Sequence, residues 1–186
     1  MSLPDLLKLK RSVILSRWRR MIRETYPPDA ASFIEQQKDR FHNPVGHTIS
    51  EATAAVFDAV LARRPAREVA SALDGVVRVR AVQEFSAAQA VAFVFQLKRA
   101  IREEIGEEIS TRELWTGLSS VEGSIDQVAL TAFDLYMQCR ERVFDVRVNE
   151  LKRRMSRPMQ MLGRVFSHED QGAEPAGCNE PGKEEP

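Results

Sequence analysis

Three histidines and two cysteines, set among 27 acidic residues, are the side chains of this 186-residue chain best suited to chemistry. His47 comes first, because a histidine on a helix can serve as an axial haem ligand. Its position three residues after Pro44 and beside Gly46 also fits a corner histidine that hydrogen-bonds neighbouring backbone. His42 and His47 are five apart across a proline, which is not the i, i+4 geometry of a metal-binding helix face. His168 falls in the tail and needs no function. Cys139 and Cys178 have neither the number nor the spacing of a disulfide framework or a zinc site, which makes a reducing cytoplasm the simplest home. No acid stands with a histidine or serine in a catalytic arrangement, and there is no phosphate loop, nucleophile elbow or metalloprotease motif. The expectation is a protein that is not an enzyme, with no metal and no assigned cofactor.

The formal charge of zero hides an asymmetry. Ser167 to Pro186 holds six acids against Lys183 alone, so this tail is near −5 and the body near +5. Rich in Glu, Gly and Pro, the tail is expected to be disordered, since it cannot bury enough surface to offset its ordering entropy. Arg11, Arg17, Arg19, Arg20 and Arg23 make the first helix basic, and Lys152, Arg153 and Arg154 do the same near the end. Such runs read as solvated faces neutralised by Asp5, Glu24 and the tail, and no nucleic-acid partner is expected. Arg78 and Arg80, two apart on a helix, point in different directions, so at most one of them can enter a shared pocket. The longest apolar stretch, Ala90 to Phe95, is far short of the ~20 residues a bilayer span needs, and Met1 to Lys10 lacks the apolar run of a signal peptide.

The elements that position these residues are helical throughout. Leu6, Leu7, Val13, Ile14, Trp18, Met21 and Ile22 recur at helical spacing from Leu3 to Tyr26, and Pro27-Pro28 closes that helix. Asp29 can cap a short helix through Gln37. Asn43-Pro44 combines an N-cap with a proline at the first turn and opens a third helix to about Arg63. Pro65 restarts the chain for Ala66 to Glu84, where Asp74-Gly75 weakens the middle and can split it. Ser86 and Gln89 form a capping box before a helix to about Glu104 that is apolar all round, and Ser110 with Glu113 repeats the signature. Val76, Val77, Val79 and Val82 have no second strand to pair with and belong to a helix. The class is all-α.

From Ser124 to Arg157 no Gly or Pro interrupts a helix-favouring run of roughly 50 Å. Up to Met137 its apolar residues, Val128, Leu130, Ala132, Phe133, Leu135 and Tyr136 among them, cover several faces, as in a helix buried in a core. Beyond Arg142 the set narrows to Phe144, Val148, Leu151 and Met155, a four-three-four seam with charged flanks that suits a coiled-coil-like contact. One helix is thus expected to be rooted in a globular core and to exit towards a partner.

Three segments carry a family resemblance: Phe41-His42-Asn43-Pro44-Val45-Gly46-His47-Thr48; Val77 to Ser86 continuing to Gln89-Ala90-Val91; and Ala132 to Glu141 continuing to Arg147 to Arg154. Over about residues 5 to 157 the chain resembles the N-terminal domain of RsbRD-type co-antagonists of the RsbT kinase, the bacterial stressosome proteins. The resemblance implies a globin-like, haem-free, dimeric helical domain that serves as an input module. In that family a linker helix leads on to a STAS domain with the phosphorylated output surface. Here only the acidic tail follows Phe166, so the expectation is a stand-alone sensor without its output. A globin-like domain without haem leaves a space to fill, and Phe85, Phe93, Phe95 and Phe133 either line a ligand pocket there or form collapsed core.

The resulting expectation is an all-α, globin-like bundle with a long C-terminal exit helix, a sensor domain over 1–166 and a disordered tail over 167–186. It is a non-enzymatic, cytoplasmic bacterial regulator or adaptor in stress signalling. It signals through a homodimeric interface at Phe144, Val148, Leu151 and Met155 and contacts a further signalling or redox protein through the exit helix or tail. Two alternatives stay open: a haem- or tetrapyrrole-binding sensor using His47, and an accessory protein of a redox or respiratory complex.

Overall fold

The computed structural model describes residues 2–29, 31, 43–83 and 85–169, with side chains through residue 155. Its elements are α1 (Leu3–Leu9), α2 (Arg11–Arg23), α3 (Pro44–Leu61), a 3-10 turn (Ala66–Val69), α4 (Ala70–Val82), α5 (Ala87–Ile105), a second 3-10 turn (Gly106–Glu108) and α6 (Arg112–Glu169). There is no strand among the described residues, and the class is all-α, as expected. The chain divides into two compact units, Met1–Val143 and Phe144–Pro186.

Helix starts are set by local chemistry. The Asn43 side chain accepts a hydrogen bond from the Gly46 N–H at 2.8 Å, with Pro44 at the first helical position. Ser86 and Gln89 complete the expected capping box, the Gln89 N–H bonding to Ser86 Oγ and the Ser86 N–H to Gln89 Oε1. Ser2 and Asp5 form another at the start of α1. At α6 the expected cap moves by one residue: Thr111 Oγ1, not the Ser110 side chain, accepts from the Leu114 N–H. The helix expected through Gln37 is described only at its start, where Ala31 N–H bonds to the Pro27 carbonyl; its remainder lies outside the described residues.

Two helix readings differ from expectation. The first helix is two, broken at Lys10, which ends α1 and begins α2 with no side-chain cap. Burial of Leu3, Leu6 and Leu7 on one side of the break and of Ile14, Leu15, Trp18 and Ile22 on the other decides the bend. Gly75 does not split α4, which is continuous; a Cβ there would stand 2.6 Å from Thr48 Cγ2, so the glycine lets α3 and α4 approach closely. Helix α6 reaches Glu169, and residues 170–186, which hold most of the expected tail, lie outside the described residues.

The core is built around Trp18, fully buried, whose indole N–H donates to the Phe93 carbonyl at 2.6 Å and so ties α2 to α5. Helix α6 presents Leu118, Val121, Ile125, Val128, Ala129, Ala132, Tyr136 and Cys139 to this core, a three-four stripe. Leu130, Phe133 and Met137 are exposed instead. The mixed apolar faces of this segment therefore mark two stripes, one buried and one bare, where full burial was expected.

The basic first helix is neutralised by Glu24, which approaches Arg20 at 3.9 Å as expected, and by acids on other helices; the tail lies outside the described residues. Arg11 forms a two-pronged pair with Asp58 of α3, and Arg17 pairs with Glu103 and Glu104 of α5. The Asp58 hydrogen bond holds the Arg11 guanidinium above its ordinary pKa, and Arg99 and Arg17 hold the Glu103 carboxyl below its own. Arg19 lies half-buried and bonds to Thr53 Oγ1 and the Ser50 carbonyl. These arginines clamp helices together, which leaves little of the cluster for an external polyanion.

Candidate functional site around a buried arginine

Of the two arginines on α4, Arg78 stays at the surface, paired with Asp74 one turn back, and Arg80 goes in. Arg80 is 0 % exposed, the only fully buried charged side chain among the described residues. Its guanidinium carbon stands 5.1 Å from the Tyr26 ring centroid, 5.0 Å from Phe85 and 5.1 Å from Phe93. These rings come from the end of α2, the α4–α5 corner and α5. Their negative faces offset part of the cost of taking a cation out of water. One Nη donates to the Gln89 carbonyl at 3.1 Å and the other to Thr25 Oγ1 at 2.9 Å.

No carboxylate among the described residues pairs with Arg80, and its Nε has no hydrogen-bond partner there. The buried Tyr26 hydroxyl likewise has none. Beside them opens a cavity of about 650 Å³ lined by Thr25, Tyr26, Pro27, Val82, Gln83, Phe85 and Gln89. Four of these residues, Thr25, Tyr26, Phe85 and Gln89, also touch the Arg80 guanidinium. The same corner is bonded to α6: the Tyr136 hydroxyl donates to the Phe85 carbonyl at 2.5 Å, and Arg140 to the Ala81 carbonyl at 3.3 Å.

The four phenylalanines read as pocket lining or collapsed core fall in different places. Phe85 and Phe93 flank Arg80, whereas Phe95 is exposed under Lys98 and Phe133 is exposed on α6. Phe93 and Phe95 are two apart on one helix and cannot face one cavity. His47 lies on α3, partly exposed; its Nε2 approaches the Glu51 carboxylate one turn on at 3.0 Å, where bonding to neighbouring backbone was expected. Among the described residues no cluster of three His, Cys, Asp or Glu could hold a metal ion, and no helix is long and apolar enough to cross a membrane.

Residues 12–151 match the family model of the RsbT co-antagonist protein rsbRD N-terminal domain. The chain belongs to this family. No curated protein and no solved structure matches it. The match embraces every residue of the Arg80 cluster together with Tyr136 and Arg140, and it ends at Leu151 on α6. Membership in the RsbRD N-terminal family gives the chain a signalling, regulatory role of the stressosome type. For this RsbRD-type domain, haemin titration of wild type and His47→Ala should give the same weak, non-saturable spectra, because the Glu51 carboxylate stands 3.0 Å from His47 Nε2, in the space an iron would need, and His47 has no described second histidine near it. A saturable Soret shift at one equivalent, lost in His47→Ala, would contradict this.

Proposed function

We propose that this RsbRD-type domain is a non-enzymatic, cytoplasmic input or adaptor module, and that it works as a homodimer whose copies meet along Phe144, Val148, Leu151 and Met155. The observation that carries the reading is the bareness of this seam. Phe144 is 66 % exposed, Leu151 58 % and Met155 70 % in the single chain, a continuous apolar stripe of the kind that marks an interaction surface. Within the first unit Leu130 and Met137 are also bare, and Leu130, Met137, Phe144 and Leu151 recur at intervals of seven residues in sequence. That period is the one a two-helix seam requires. Such a module transmits by repacking its two-chain interface when a ligand or a partner protein favours one arrangement.

Disulfide trapping tests the seam residue by residue. With Cys139 and Cys178 replaced by serine, Leu151→Cys should oxidise to a covalent dimer and Asn149→Cys should not. A disulfide needs Cα atoms about 4–7 Å apart, which two parallel helices offer only at seam positions. Equal yields at the two positions, or none at 151, would overturn the proposed interface.

A further inference from the structure

We propose that the cavity beside Arg80 is an effector site for a small organic carboxylate with an apolar body, and that its occupancy is passed to α6 through Tyr136 and Arg140. The inference deepens the regulatory reading above and rests on it only for the consequence of binding, not for binding itself.

The chemistry follows from what Arg80 lacks. A guanidinium carries five N–H donors, and here a hydroxyl and a carbonyl take two bonds. Three aromatic faces attract the charge but accept no proton in the manner of a carboxylate. A buried cation with no carboxylate beside it among the described residues is costly, and two unpartnered donors, Arg80 Nε and the Tyr26 hydroxyl, occur in the same cluster. One carboxylate satisfies both: an oxygen for the guanidinium edge and an oxygen for the phenol. Two donor atoms with no partner at all match the two oxygens of one carboxylate, and the apolar part of the cavity lining favours an organic acid over free phosphate. Pro27, Val82 and Phe85 supply the apolar contacts of the cavity, whose 650 Å³ lies within the usual range for small-molecule sites. Gln83 and Gln89 remain at its rim for polar substituents.

Arg80 is fully buried behind this wall, so a ligand reaches it only if the Tyr26 or Phe85 ring gives way. The two rings meet edge to face at 5.7 Å, so displacing one disturbs the other. Phe85 is also the residue whose carbonyl holds Tyr136, and Ala81, one residue beyond Arg80, holds Arg140. Tyr136 and Arg140 are one turn apart on α6. Movement of the α4–α5 corner therefore acts on α6 through two adjacent hydrogen bonds.

Calorimetric titration of the full chain with benzoate, phenylacetate and hexanoate, and with inorganic phosphate for comparison, tests the site. At least one carboxylate should bind saturably at one equivalent per chain, and phosphate should not. Arg80→Met should abolish binding. Tyr26→Phe, which removes only an unpartnered hydroxyl and should keep the fold, should weaken it about tenfold, the value of one hydrogen bond to a charge. Arg78→Met should leave it unchanged. If Arg80→Met fails to fold, the Tyr26→Phe and Arg78→Met pair decides. Absence of saturable binding by all three carboxylates up to about 10 mM, beyond the millimolar edge of specific affinity, would overturn the proposal; so would binding of phosphate alone, or equal binding by wild type and Tyr26→Phe. Failure here with the dimer intact removes the effector site and leaves the regulatory reading standing.

Discussion

Trp18→Ala should destabilise the domain by about 3–5 kcal/mol, the range for emptying a fully buried indole site. The indole is completely enclosed, so its removal forfeits both transfer free energy and the contacts of the cavity lining. It also removes the 2.6 Å bond to the Phe93 carbonyl, on the helix that carries one wall of the Arg80 cluster. For a chain of this size the melting temperature should fall by roughly 10 °C or more. Trp18→Phe separates the contributions: most of the ring volume stays, the N–H bond goes, and the cost should be only about 1–2 kcal/mol. Chemical denaturation followed by circular dichroism measures both. A Trp18→Ala loss below about 1 kcal/mol would mean that α2 and α5 are not joined through this residue, a change too small for any buried large-to-small substitution.

What the sequence discloses here is whatever depends on neighbours in the chain. The Asn43-Pro44 start and the Ser86–Gln89 capping box involve residues within three positions, and both are read directly. Lys10 is different: nothing local marks it as a break, and the bend is imposed by burial of leucines before it and of Ile14 and Trp18 after it. Gly75 reads as a weak point in a helix because its use, the approach of Thr48 from α3, is not in its own segment. The first-helix arginines likewise meet Asp58, Glu103 and Glu104, 47 to 87 residues away.

The candidate site was half legible for the same reason. Spacing alone shows that Arg78 and Arg80 cannot share a pocket, but not which one is buried, since Tyr26, Phe85 and Phe93 converge from three separate elements. Phe85 and Phe93 could be singled out as aromatic residues; that they surround a cation rather than a space could not. On α6 the apolar residues from Val128 to Met137 occupy more than one face, a pattern that burial on all sides and burial on one side with a bare second stripe produce alike. Only the positions of α1 to α5 tell the two apart.

The bare stripe decides whether the chain pairs with a second copy, and sedimentation equilibrium of the full chain with its Val148→Asp, Leu151→Asp double variant measures this most directly. Two carboxylates per chain placed in the seam would face like charges in a partner and would be desolvated, which costs several kcal/mol and drives dissociation. Leu151 is exposed and Val148 partly exposed in the single chain, so the variant should fold with an unchanged helical signal. The expected result is a wild-type dimer at tens of micromolar, a range estimated from ordinary specific association, and a folded monomer for the variant at the same concentration. A wild type already monomeric there, or a variant that remains a dimer, would contradict it.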